Sequence, residues 1–421
     1  MKINKHCFPN GLRLVHYEDT STQMVALNIV YDVGARDEHP EHTGFAHLFE
    51  HLMFGGSVHI PDYDTPLQLA GGENNAWTNN DITNYYLTVP KPNVETAFWL
   101  ESDRMLELAF SEQSLEVQRG VVMEEFKQRC LNQPYGDVGH LFRPLAFRVH
   151  PYRWPTIGKE LSHIEQATLD EVKSFFYRFY APNNAVLAVT GNISWDETVR
   201  LTEKWFAPIP RRDVPARQLP QEPEQTRERR LTVERNVPLD ALFMGYHMCS
   251  RESADYYAFD ILSDILSNGR SSRLNRRLVQ EQNLFSGIDA YISGTRDAGL
   301  LQISGKPAAG VSLEQAEAAV RKELEELRQS PAGEQELEKV KNKFESTQIF
   351  GNINYLNVAT NLAWFELTGK AEDIDLEVER YRSVTTEQLH TVAQHTFCEN
   401  NTVVLYLSLI HISEPTRLQL I

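Results

Sequence analysis

Apolar positions crowd "GLRLVHYEDT" and "QMVALNIVYDVG", which are rich in Val, Leu, Ile and Tyr and separated by turn residues, so the chain opens with strands. The pattern then changes. In "HTGFAHLFEHLMFGG", residues 42 to 56, Phe45, Leu48, Phe49, Leu52 and Met53 recur at helical spacing and make one apolar face. "GGENNAWTNNDITNYYLTVP" reads as a Gly-bounded hairpin or edge strand pair. Two helices follow, "PNVETAFWLESDRMLELAF" and "SEQSLEVQRGVVMEEFKQRC", the second with Ser111 as its N-cap and Val121, Val122 and Phe126 as its apolar stripe. "TLDEVKSFFYRFYAPNNAVLAVTGNIS" reads as a helix, a Pro-Asn turn and a buried strand.

Residues 211 to 230, "RRDVPARQLPQEPEQTRERR", are charged, Pro-interrupted and almost free of apolar side chains, which predicts a linker. Beyond it the element order repeats through "ALFMGYHM", "ADYYAFDILSDILSN", "FSGIDAYIS", "GLLQISGKP", "SLEQAEAAVRKELEELRQS" and "NTVVLYL". The expected fold is therefore α+β: two similar domains, each an antiparallel-rich sheet flanked by helices, over 1–210 and 231–421. Residue identity between the halves is not evident, so the duplication rests on pattern alone. "LSLIHISEPTR", Leu407 to Arg417, resembles translated adapter DNA, and the expectation is a non-native tail from about Leu407.

Composition narrows the function. A chain of 421 residues exceeds what one core usually serves, and 41% apolar content suffices for two. A formal charge of −17 argues against nucleic acid or an anionic membrane as partner. Cys7, Cys130, Cys249 and Cys398 lie far apart with no CxxC spacing, which fits reduced thiols in the cytoplasm. The opening "MKINKHCFPNGLRLVHYEDT" has no apolar signal region, and no run approaches the ~18 apolar residues of a membrane span.

Candidate chemistry concentrates in the predicted helix at residues 42–56. There His47 and His51 stand one turn apart on the same face, an arrangement that lets two imidazoles share a tetrahedral zinc ion. Glu50, on the neighbouring edge, can take a proton from a water activated by the metal without displacing it. The order H-x-x-E-H is the inverted counterpart of H-E-x-x-H. Fourteen histidines in the chain allow the pattern by chance and the apolar face alone explains an amphipathic helix, so a lone match favours a metal site only about two to one. A catalytic zinc also needs a third protein ligand, for which "VQRGVVMEEFKQR" offers Glu124 and Glu125.

Taken together, "GARDEHPEHTGFAHLFEHLMFGG", "GGENNAWTNNDITNYYLTV", "LESDRM…QRGVVMEEF", "APNNAVLAVTGNI" and "SNGRSSRL" resemble the insulinase and pitrilysin superfamily of inverted-motif zinc peptidases. The resemblance runs from about residue 8 to 406 and is strongest to the bacterial short-chain branch related to mitochondrial processing peptidase, in which one polypeptide is half of a clamshell chamber. It implies a zinc-dependent endopeptidase subunit cutting peptides, with His47, His51 and Glu125 as zinc ligands and Glu50 as general base. Glu125 is preferred over Glu124 because the family's ligand falls seven residues after the glutamate of an E-R pair, a register that starts here at Gln118-Arg119. The resemblance further implies that Asn75 and Ala76 lie on an edge strand that pairs with an extended peptide; a plain hairpin, with Asn74 and Asn75 making its turn, is the alternative.

Two departures stand out. Gln118 occupies the place of a supporting glutamate and brings no charge to the site. Active relatives also carry an Arg and a Tyr seven residues apart in a later domain, whereas "RRLVQEQNLFSGI" has Val279 or Gln280 near the first position and Ser286 near the second. Arg273, Arg276 and Arg277 fall too early for that register and Tyr291 too late. The expected partner is a sister chain supplying the Arg/Tyr pair in a heterodimer; a self-sufficient homodimer and a non-catalytic scaffold subunit are the alternatives. No phosphate loop or Ser-based triad is present in "TGNIS", "LTGKAED" or "SNGRSSRL".

Overall fold

The computed structural model describes residues 1–410, and the part of the expected foreign tail from 411 on lies outside them. Its first sheet is built from β1 (Asn4–Cys7), β2 (Arg13–Glu18), β3 (Met24–Tyr31), β4 (Glu73–Thr78), β5 (Thr83–Pro90) and β6 (Ala185–Gly191). Its second is built from β7 (Arg229–Arg235), β8 (Ala241–His247), β9 (Phe285–Ile292), β10 (Leu300–Pro307) and β11 (Thr402–Leu409).

Strand order demonstrates the duplication that residue identity concealed. The first sheet runs β1-β2-β6-β3-β5-β4 and the second β7-β11-β8-β10-β9. With β1 set aside, the two are the same topology, each holding one parallel pair, β2 with β6 and β7 with β11, among antiparallel neighbours. The helix Phe45–Leu52 between β3 and β4 thus corresponds in order to Tyr256–Ser267 between β8 and β9, which carries no histidine.

The units are not consecutive halves. One comprises 1–131, 147–223 and 341–383; the other comprises 132–146, 224–340 and the chain from Val384 on. The division expected at 211–230 therefore misses two segments that cross over in sequence. Residues 211–226 hold no helix or strand, yet the part up to Pro223 is anchored within the first unit. Arg212 donates to the Tyr180 carbonyl at 2.6 Å, and Arg217 pairs with Asp32 at 2.8 Å and with Asp37.

In the first unit the strand pattern becomes packing. Val25, Leu27 and Ile29 of β3 join one buried cluster, and Ala26 and Val30 join another on the opposite face. Strand β6 is buried along its whole length, which is why "AVLAVTG" reads as a continuous apolar run. Helices Phe45–Leu52, Val94–Leu106, Leu169–Phe179 and Trp195–Trp205 contribute to the first cluster, and Tyr355–Thr368 covers the other face. Leu48 and Phe49, both fully buried, seat the first of these helices with about 1.5–3 kcal/mol each. Strand β4 stands at the sheet's edge.

The helix Glu112–Phe126 begins at Ser111, whose hydroxyl accepts the Ser114 N–H. Val122 and Phe126 are buried, but Val121 is exposed, because the packed stripe runs through Leu115 and Val122. In the second unit the charged helix Leu313–Gln329 buries Glu317 and Glu323, which pair with the partly exposed Arg230 and Arg277. No helix among the described residues is long and apolar enough to cross a membrane.

Candidate metal centre

The helix Phe45–Leu52 buries Phe45, Leu48, Phe49 and Leu52 in the core; His47 is buried as well, and Glu50 and His51 are half-buried. The rings of His47 and His51 meet edge to face, 4.9 Å between centroids. Glu125, in the last turn of Glu112–Phe126, reaches the same place. Its Oε2 lies 3.5 Å from Nε2 of His47 and 3.3 Å from Nε2 of His51. Its other oxygen is held by Arg129 at 3.0 Å, from the π-helical turn Lys127–Leu131, which fixes the carboxylate's orientation. Glu124 points elsewhere, toward Gln128 and Lys127, and is 58% exposed against 20% for Glu125.

Electrostatics prepare these groups for a cation. Burial drives the His47 imidazole down to about 4, with Glu125 only partly opposing, so the ring is neutral with a free lone pair. Glu125 is held below the ordinary carboxylate value, chiefly by its hydrogen bond with His51. Glu50 is shifted the other way by burial, against a hydrogen bond from Thr78, which makes it a stronger base than an exposed carboxylate. Thr78 is the last residue of β4.

A zinc ion fits this donor set. Bonds of about 2.0–2.1 Å in a tetrahedron put ligand atoms about 3.3–3.4 Å apart, close to the two separations from Glu125. All three donor atoms lie within 4.8 Å of one another, and no other such group of His, Cys, Asp or Glu occurs among the described residues. One feature departs from a fully supported site: Nδ1 of His47 is buried with no hydrogen-bond partner, where a ligating imidazole ordinarily donates its second N–H. Gln118, the amide in place of a supporting glutamate, stands on the same helix as Glu125 near Gly55.

Asn75 and Ala76 lie on β4, opposite Tyr86 and Tyr85 of β5. The Ala76 N–H donates to Asn75 Oδ1 at 2.8 Å, so the asparagine occupies the group an added peptide strand would need. At the clamp register in the second unit, Gln280 Nε2 donates to the Arg270 carbonyl at 2.6 Å and Ser286 Oγ to the Lys306 carbonyl at 3.1 Å. Arg273, Arg276 and Arg277 are paired with Glu336, Glu281 and Glu323. Sequence reasoning missed the Arg129 contact, whose signal was its spacing four residues after Glu125.

The same segments match known sequences. The family model for insulinase, peptidase family M16, matches residues 13–137, and that for the peptidase M16 inactive domain matches 166–344. The chain belongs to the insulinase family. Among its relatives in that family, the zinc protease PqqE of Helicobacter pylori is 29% identical over 338 residues, 79% of this chain and 76% of that protein. The uncharacterized zinc protease YmxG of Bacillus subtilis is 25% identical over 411 residues, 96% of this chain and 98% of that one. In three dimensions, a protease from Helicobacter pylori superposes with a TM-score of 0.92 at 26% identity, covering 97% of this chain and 99% of that chain. The periplasmic protease PqqL of Escherichia coli superposes at 0.79 and 18% identity, but this chain covers only 47% of it. The two-domain fold is thus that of insulinase-family peptidases.

Proposed function

We infer that the chain is a zinc-dependent endopeptidase subunit that hydrolyses peptides. The observation that carries this reading is the convergence of His47, His51 and Glu125 on one point with Glu50 beside them. Relatives named zinc proteases support the choice of metal. When bound, zinc supplies Lewis acidity for the scissile carbonyl and the attacking water. The chain's own groups do the rest. Glu50 takes the proton from the attacking water and returns it to the leaving amine. An extended peptide adds to the free edge of β4, taking the Ala76 N–H and releasing Asn75 to hydrogen-bond the peptide beside the scissile bond.

A second reading is favoured by the clamp positions. Gln280 and Ser286 are neutral and engaged with backbone, so this chain's own later domain lacks the Arg/Tyr pair at that register. In this reading the subunit supplies the metal half of the site and a sister chain supplies the clamp, the two closing a clamshell chamber. All four cysteines form no disulfide, which supports a reducing, cytoplasmic setting.

The deciding experiment is hydrolysis of an unstructured, fluorescence-quenched peptide mixture by the zinc-loaded chain alone, with Glu50→Gln as control. Cleavage that vanishes in the control makes the chain a complete peptidase. No cleavage despite stoichiometric zinc supports the sister-chain reading. A chain that takes up no zinc is a scaffold subunit.

A further inference from the structure

The helix presenting His47, Glu50 and His51 has only eight residues, Phe45–Leu52, too few for propagation to stabilise it alone. How it starts therefore sets where its side chains point. Its N-cap is Gly44, held at φ +88, where an added Cβ would lie 2.7 Å from Ile164 Cδ1 and 2.9 Å from the Ile157 carbonyl oxygen. The position admits no side chain, so the helix has no cap of its own.

The cap comes from six residues upstream. Glu38 Oε2 accepts the Gly44 N–H at 2.9 Å, and Oε1 accepts the Ala46 N–H at 2.9 Å. Ala46 immediately precedes His47. Glu38 is only 7% exposed, and its own turn is pinned on several sides. The Ala35 and Arg36 N–H groups donate to the carbonyls of Asn79 and Asn80 at 3.1 and 2.8 Å, and Trp154 Nε1–H donates to the Ala35 carbonyl at 2.9 Å. Asn79 and Asn80 directly follow β4, so one rigid corner joins the helix start to the edge strand. Burial pushes the Glu38 carboxyl up to about 8, opposed by the Ala46 and Gly44 N–H groups, and the group lies at the positive end of the helix dipole.

We propose that Glu38 is a positioning residue of the metal centre: gripping the Gly44 and Ala46 N–H groups with its two oxygens, it sets the helix register that brings His47 and His51 to Glu125. It touches neither metal nor substrate. The inference rests on reading His47, His51 and Glu125 as a metal site.

The test uses the full chain with Glu38→Ala, which removes both acceptors, and Glu38→Gln, which keeps the volume and one acceptor oxygen. Amide exchange is read first, in metal-free protein. In Glu38→Ala the amides of Phe45–Leu48 exchange roughly tenfold faster than in the parent while those of β3 and β6 are unchanged, and Glu38→Gln lies between. Zinc affinity is read second, by competition with a chelator, and falls about tenfold in Glu38→Ala with partial recovery in Glu38→Gln. Parental exchange at Phe45–Leu48, or faster exchange with parental zinc affinity, overturns the proposal. Should Glu38→Ala not fold, Glu38→Gln decides by the same two readouts. A parent chain that binds no zinc defeats the metal-site reading instead, and amide exchange still decides whether Glu38 holds the helix.

Discussion

Nε2 of His51 lies 3.3 Å from Oε2 of Glu125, although the two residues come from different helices separated by the β4–β5 hairpin and the helix Val94–Leu106. With Nε2 of His47 3.5 Å from the same oxygen, the three donors are spaced as ligands of one cation would be. Glu125→Gln removes the charge and leaves one weaker donor. Zinc affinity should fall roughly 100-fold or more, measured by chelator competition, with circular dichroism unchanged because Glu125 lies outside the core. Parental affinity would mean that Glu125 is not a ligand.

Glu50→Gln keeps the shape of the base and removes its proton affinity. Turnover of an unstructured peptide should drop roughly 10²- to 10⁴-fold while zinc stays bound at one equivalent. Retained turnover assigns the base to another residue.

Asn75→Ala leaves the Ala76 N–H without its side-chain partner and removes the group expected to hold the peptide. One lost hydrogen bond of about 1 kcal/mol raises KM roughly fivefold, with kcat much less affected, in steady-state kinetics on an extended peptide. A lower KM would instead make Asn75 a shield on the edge strand.

Acid stability should depend on Glu317 in the second unit. Burial pushes its carboxyl up, but Arg230, Tyr406 and Arg321 outweigh it and leave it at about 2, against an ordinary value of 4.5. Because the folded value is depressed, this stabilisation is present above pH 4.5 and is lost as pH falls toward 2. It amounts to at most about 3 kcal/mol. In denaturant titrations Glu317→Gln should therefore be less stable than the parent at neutral pH, with a shallower decline between pH 4.5 and 2. A decline equal to the parent's would place the acid-sensitive group elsewhere.

Much of this was legible in one dimension. The Val-, Ile- and Tyr-rich runs of β3 and β5, the helical spacing of Phe45, Leu48, Phe49 and Leu52, and the placing of His47 and His51 one turn apart follow from local geometry, which a sequence states directly. Val121 was misread because a helical stripe defines a face but not its edge, and the neighbouring elements decide which flanking residue they cover. The consecutive-halves division failed for a related reason. Segments 132–146 and 341–383 join the unit that buries their apolar faces, whatever their order in the chain.

By itself, then, the sequence determined the elements, their repetition and the His-x-x-Glu-His face, since each depends on residues within a turn or two of one another. Tertiary structure alone decided that Glu125 meets the histidines across separate helices, and that Glu38 caps a helix whose own cap position is glycine. Those relationships depend on how a buried core brings distant segments together, and packing of that kind leaves no fixed spacing in the chain.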